Sequence, residues 1–383
     1  MDDLSSLPSF LQPRLRLFFG VDLVGSTSFK QKGEFPLKNP SESDFRQLGA
    51  QWFSGIAGFY RTVEQQFSAA WDDCRKAYSK VLKSELLITP KLWKTNGDEL
   101  IYEVEITEPT DVAYVLAAWT LALKSYRPAL KPSGLDLKAT AWLAGFPIGN
   151  AEVVFCSDIN TIKNISQDED PKIMHFTLLE QWYKPDADRS GLVKDYVGPA
   201  VDTGFRLSGH SSHRKFVVSL EVALMLALAP PHQKFFKEFG IDKEALKLAF
   251  DQPQVMKGVI GGKPYPVFWI DMLCQDEMTK AFNEISPANK PDDGKIKNYC
   301  QSFIDEHGSY LLHPFIVNCK SQHFSNPPDN YMETLAKLAS RWAEEKSRLN
   351  VRWESFFNDK SPRDDDGDII ESVDDSISNN LLN

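Results

Sequence analysis

The sequence predicts an α/β (α+β) fold, with strands and helices in alternation and one helix-rich face, and three observations carry that expectation. Residues 14–24 alternate and then turn strongly apolar before Gly25-Ser26-Thr27, the pattern of a buried strand running into a turn. Phe45, Leu48, Trp52, Ile56, Tyr60, Val63, Phe67 and Trp71 recur at steps of three and four, the stripe of a long amphipathic helix. Asn96-Gly97 sits inside residues 91–105, and that dipeptide between apolar runs is a strong hairpin signal.

The remaining elements follow in order. Ser41 or Ser43 suits the N-cap of the long helix, because a short side-chain oxygen can accept from the first free amides. Asp111–Tyr126 reads as a second helix and Leu135–Phe146 as another strand. Residues 150–194 read as an irregular connection with one strand near Met174–Leu178. A short helix is expected over Gly204–Ser211, then a returning strand over Lys215–Val222. Strand, helix, hairpin, helix, strand, helix, strand is the order of a layered α/β unit. After Pro230-Pro231 the character changes: a helix over 233–250, a strand or buried segment over 266–273, and a long helix over 333–357. In that last helix Leu335, Leu338, Trp342, Leu349, Trp353 and Phe356 make a near-heptad stripe, read as packing on its own domain rather than as a free coiled coil. From Asp364 the chain is acidic and poor in apolar residues, the composition of a disordered tail.

Composition narrows the class. At 383 residues the chain is long enough for one large core and an accessory region. A net charge of −10 argues against broad nucleic-acid binding, which needs basic surface to displace counterions. Five scattered cysteines with no CxxC pair read as reduced thiols rather than a disulfide frame, with Cys156 and Cys274 as core thiols. The N-terminus lacks a basic start followed by an apolar run, and the apolar stretch from Val217 to Pro231 is interrupted by Ser219 and Glu221, so no membrane is expected and the location expected is cytoplasmic.

Three segments carry the chemistry: FFGVDLVGST at 18–27, LWKTNGDEL at 92–100 and DYVGPAVDTGFRL at 195–207. The first two put Asp22 at a strand end and Asp98 just past a hairpin turn, where adjacent antiparallel strands bring them side by side. Read alone, Asp22 and Asp98 also suit turn and capping roles. Gly25, Ser26 and Thr27 are small enough to let backbone amides approach phosphate oxygens. In the third segment Asp202 and Arg206 are four apart and share a helix face, which without the other segments would be an ordinary surface ion pair.

Together and in this order the segments resemble the catalytic core of class III nucleotidyl cyclases, the adenylyl and guanylyl cyclase superfamily, over residues 14–225. The resemblance implies a mixed, largely antiparallel sheet with helices packed on it. It implies that Asp22 and Asp98, with the Leu23 carbonyl, hold two divalent cations, Mg²⁺ or Mn²⁺. It implies that Lys94 and Asp195 contact the base, Asp202 the ribose, and Arg206 the transition state. Asp202 departs from the family's usual Asn and brings a further negative charge. The Lys94/Asp195 pair is of adenylyl type, yet a single core with a C-terminal extension is similar in layout to the bacterial pyrimidine cyclases of anti-phage defence. The expected activity is therefore conversion of UTP, in preference to CTP, to a 3′,5′-cyclic monophosphate that acts on a separate effector protein. An adenylyl cyclase and a non-catalytic nucleotide sensor are the alternatives. Because the metal and base residues of one site come from two subunits in this superfamily, a homodimer with composite sites is implied. Residues 14–225 would be the catalytic domain, 232–360 an accessory region that senses or regulates, and 364–383 the tail.

Other features carry less. Trp93, Trp52, Phe53 and Tyr60 suit either a narrowed base pocket or the core. His210 and His213 have no HExxH context and suit a surface or a phosphate contact. The acidic run 364–375 has its Gly at the wrong position for a calcium loop.

Overall fold

The computed structural model describes residues 4–31, 51–156, 171–187, 189–272 and 277–358. Nine strands and ten helices are described: β1 Arg14–Val24, α1 Ser26–Gln31, α2 Gln51–Leu82, β2 Lys91–Asn96, β3 Glu99–Ile106, α3 Thr110–Leu130, β4 Asp136–Phe146, β5 Ala151–Cys156, α4 Pro171–Tyr183, β6 Leu192–Val197, α5 Pro199–Leu207, β7 Lys215–Val218, α6 Leu220–Leu228, α7 Gln233–Phe239, β8 Leu248–Val255, β9 Pro264–Asp271, α8 Glu277–Ile285, α9 Asp293–Glu306 and α10 Tyr331–Asn358.

Seven strands form one sheet in the order β2-β3-β1-β4-β7-β9-β8, and β5 and β6 pair separately. Every pairing is antiparallel except β4 with β7. The fold is therefore the mixed, largely antiparallel sheet with packed helices that the resemblance implies. Its first half, β1-α2-β2-β3-α3-β4 in spatial order β2-β3-β1-β4, is a split βαβ arrangement with β1 central.

Alternation along β1 decides which face each residue takes. Leu15, Leu17, Phe19, Val21 and Leu23 enter the main core with Phe59, Val63, Phe67 and Trp71 of α2, the buried side of α3, and Val222–Leu226 of α6. Phe19 lies among Phe67, Tyr102 and Trp119 at ring-centroid distances of 5.4, 5.6 and 5.0 Å. The opposite face carries a smaller cluster of Phe18, Ile101, Trp142, Phe146, Tyr196 and Val201.

Five elements differ from expectation. The strand near Met174–Leu178 is instead part of α4, a helix opened by Pro171 whose Ile173, Leu178 and Leu179 are buried. The helix expected over 233–250 stops at Phe239. Gly240 takes the left-handed conformation (φ 79°) and donates to Phe236 O, and the chain then becomes strand β8. The strand from Lys215 ends at Val218, where the Ser219 side chain caps α6 by accepting from Val222 N. Leu220–Leu228 is apolar almost throughout, so its period is not readable. The helix expected from Gly204 begins five residues earlier, at Pro199. The long helix runs to Leu82, past the expected Trp71. Phe45, Leu48, the Ser41 and Ser43 caps, Cys274 and the 364–383 tail lie outside the described residues.

The sheet does not stop at residue 225, because β9 pairs with β7 and β8 with β9. The Tyr331 hydroxyl at the start of α10 donates to Phe146 O over 3.0 Å. Cys74, Cys156, Cys300 and Cys319 are buried. Among the described residues no helix is long and apolar enough to cross a membrane.

Candidate active site

The even-numbered residues of β1 face the smaller cluster, and Asp22, near the strand's end, is one of them. Directly across from it stand Glu99 on β3 and Lys138 on β4. Lys138 Nζ lies 2.8 Å from an Asp22 carboxylate oxygen. Asp98, in the β2–β3 turn, accepts a hydrogen bond from the Ser26 hydroxyl and lies 3.6 Å from Lys30 Nζ. The main chains join the two aspartates, since Leu23 N donates to Asp98 O over 3.2 Å. A strand residue's amide and carbonyl point to the same side, so the Leu23 carbonyl faces that turn as well.

Glu99 is a member of this group that the sequence reading passes over. Burial first, and then the neighbouring Asp22, push its carboxyl above the usual carboxylate range, with Asp98 adding to the effect. The signal that could have found it is the register: in an antiparallel pair the residue opposite Asp22 shares its face. The same register identifies Lys138.

Among the described residues no three His, Cys, Asp or Glu side chains stand together as a metal-holding group. The donors available at Asp22, Asp98 and Leu23 are all oxygens, the ligand set of hard divalent cations that keep water and phosphate for their other positions. Two lysines presently balance the two carboxylates. A divalent cation would meet the same charge, so these residues fit such an ion.

Gly25 adopts φ +85° to turn the chain from β1 into α1, a conformation open to glycine at little cost. Ser26 is buried and its hydroxyl is spent on Asp98, while Thr27 is exposed. The Ser26 hydroxyl thus makes a positioning contact to a carboxylate.

Lys94 and Asp195 are brought together. Lys94 Nζ is 2.8 Å from Asp195 Oδ1, and the same oxygen accepts from Trp93 Nε1 at 3.0 Å and Tyr196 N at 2.9 Å. The ammonium also lies 4.0 Å over the Trp93 ring. Trp93 packs edge-on against Phe18 and Tyr196, so it serves the core and the pair at once. A cleft of about 820 Å³ opens between the β2 and β6 edges, lined by Arg16, Trp93, Trp182, Tyr183, Lys194 and Tyr196. Tyr60, another aromatic of interest, donates to Gly97 O and so braces the hairpin turn. Phe53 is exposed.

Asp202 and Arg206 ride on α5. Gly198 (φ 140°) precedes it, and a Cβ there would fall 2.5 Å from Asn150 Oδ1. That oxygen accepts from Ala200 N at 3.0 Å, and Asn150 Nδ2 donates to Gly145 O, which ties the helix start to the β4–β5 turn. Gly204 seats the helix on Trp142, with an added Cβ only 2.1 Å from the ring. Asp202 and Arg206 are exposed and have no ion pair among the described residues. No described contact joins them, or the Lys94–Asp195 pair, to Asp22 or Asp98.

The sequence matches no protein-family model and no curated protein. Solved structures similar to the chain include nucleotidyl cyclases. The adenylyl cyclase CyaB from P. aeruginosa aligns with 10% identity and a TM-score of 0.34, over 70% of this chain and 97% of that one. The guanylate cyclase domain of RhGC from Catenaria anguillulae, in complex with GTP, aligns with 10% identity and a TM-score of 0.32, over 67% and 96%. The guanylyl cyclase Cya2 aligns with 12% identity and a TM-score of 0.28, over 68% and 92%.

Proposed function

We propose that the chain is a metal-dependent nucleotidyl cyclase that converts a pyrimidine nucleoside triphosphate, UTP in preference to CTP, to its 3′,5′-cyclic monophosphate and pyrophosphate. The observation that supports this best is that one chain carries the Asp22/Asp98 pair, the Lys94–Asp195 pair and an Arg206 without an ion-pair partner among the described residues. In the reaction the ribose 3′ oxygen bonds to the α-phosphorus and the bond to the bridging oxygen breaks. Pyrophosphate leaves with that electron pair, and the hydroxyl proton passes to solvent.

Asp22, Asp98 and the Leu23 carbonyl would hold two divalent cations, Mg²⁺ or Mn²⁺, which when bound supply charge for the phosphates and acidify the attacking hydroxyl. Arg206 would meet the charge that grows on the phosphoryl oxygens, the interaction phosphoryl transfer rewards most. Lys94 and Asp195 would exchange their mutual ion pair for contacts to the base, and Asp202 would accept from a ribose hydroxyl. Trp93, bonded to Asp195 and wedged among aromatics, favours the smaller base. The Lys94–Asp195 pairing itself favours a second reading, an adenylyl cyclase.

Each chain would supply the metal residues of one site and the base residues and Arg206 of another, so the active species would be a homodimer. Residues 14–225 would carry the catalysis and the region from 232 the regulation. The product would act as a second messenger in antiviral defence, on a separate effector.

The test is product formation by the purified protein with Mn²⁺ and each of the four ribonucleoside triphosphates, read by mass spectrometry. Cyclic UMP or cyclic CMP is expected. Cyclic AMP would turn the assignment to the adenylyl reading. Nucleotide binding with no cyclic product from an intact dimer would replace it with a non-catalytic sensor.

A further inference from the structure

A cavity of about 380 Å³ lies where the N-terminal and C-terminal halves of the chain meet. Its walls come from α5, the β4–β5 turn, the 258–261 turn and the 309–315 segment. They are mainly apolar, with Leu143, Ile148, Val259 and Phe315 among them. That volume is at the lower end of small-molecule pockets, roughly 300–1,000 Å³.

Two further observations point to an occupant. Ile260, in the wall, is held at φ 39° and ψ 43°. A β-branched side chain is a true outlier there, and strain of this kind gathers at ligand clamps and switch regions. Glu221, at the start of α6, is the one carboxylate in the cavity wall. Burial pushes its carboxyl up, and the hydroxyls of Ser219 and Tyr265 bond to it.

The cavity also reaches the proposed site. The strained 259–262 turn packs directly on α5. Thr203 on that helix lines the cavity three residues before Arg206.

We infer that this cavity is an effector site for a small, largely apolar molecule of up to three rings with one hydrogen-bonding group directed at Glu221, and that its occupancy sets the position of α5. The consequence for catalysis rests on the cyclase reading; the binding does not.

The probe is N-phenyl-1-naphthylamine, a neutral aromatic amine that fluoresces in apolar surroundings. It should bind the full-length protein saturably, one per chain, and slow amide hydrogen exchange across 199–207 at least twofold. Gly145→Leu fills the cavity: Gly145 is in its wall, and an added Cβ meets only Leu15 Cδ1, at 4.0 Å. It should weaken probe binding at least tenfold and remove the exchange effect. Ser309→Trp, at an exposed wall position, serves as the second plug if Gly145→Leu fails to fold. Absence of saturable binding, equal affinity in both plugged variants, or unchanged exchange across 199–207 would overturn the inference. Failure of every nucleotide to give a cyclic product would remove the cyclase reading alone, and saturable binding with slowed exchange would still uphold the cavity.

Discussion

The two faces of β1 belong to different problems. On one, five apolar side chains are locked into aromatic and aliphatic neighbours from α2, α3 and α6. On the other, Arg16, Phe18, Gly20 and Asp22 follow one another, and charge is balanced pair by pair instead of being excluded. A single strand thus carries the main apolar core on its odd residues and, on its even ones, Phe18 in a second buried cluster beside the charged Arg16 and Asp22. Substitutions on the first face should be read in free energy of unfolding, and those on the second chiefly in turnover.

The sharpest break of that contrast is Phe19→Ala, which should cost about 3–5 kcal/mol in urea unfolding, as large-to-small changes of buried aromatics do. A loss below about 1 kcal/mol would mean that the covered face is not the core it is taken for. Next comes Gly204→Ala, whose methyl group would run into the Trp142 ring. Overpacking of this sort costs about 1–3 kcal/mol and should lift α5, so cyclisation falls together with stability.

A pH series separates two carboxylates of opposite sign. At Glu152 burial works against ionisation, but Arg16 and Lys194 prevail and hold its carboxyl below the usual range. A depressed folded value means stability that is present above the unfolded pKa, about 4.3, and lost as pH falls through the folded one. Glu99 is pushed up instead, by burial and by Asp22. Its contribution is present below the unfolded pKa and is lost as pH rises through the folded value. Melting curves between pH 3 and 7 should therefore show Glu99→Gln gaining stability toward neutrality, whereas Glu152→Gln loses it and flattens the acid limb. Identical pH slopes in both variants would break the assignment.

The smallest effect on folding is expected where the effect on function is largest. Asp98→Ala should shift stability by only about 0.5 kcal/mol, as partly exposed ion pairs do, while leaving less than a tenth of the cyclase activity. Activity above that level, with folding intact, would contradict the metal role of Asp98.

Much of the half that bears the candidate site was legible because its signals are local. Alternation marks β1 and β4, Asn96-Gly97 marks the hairpin, and strand ends put Asp22 and Asp98 where their main chains meet. Glu99, Lys138 and the Ser26–Asp98 bond were not legible, because each depends on cross-strand register or on the path of a turn. Two of the missed elements have local reasons: where a segment is apolar almost throughout, as in Leu220–Leu228, or where one glycine redirects the chain, as at Gly240, periodicity carries no information. The Asn150 link to α5 spans fifty residues and leaves no local trace.

The pairing of β9 onto β7 has a practical side for anyone dissecting the chain. Cutting between residues 225 and 232 would strip the outer neighbour from Phe216, Val217 and Val218, all fully buried, and bare their amides and carbonyls. An uncovered apolar strand is a template for the next molecule to pair with. A fragment that looks like a minimal enzyme on paper would therefore come out of the cell as an aggregate, and its inactivity would say nothing about the site.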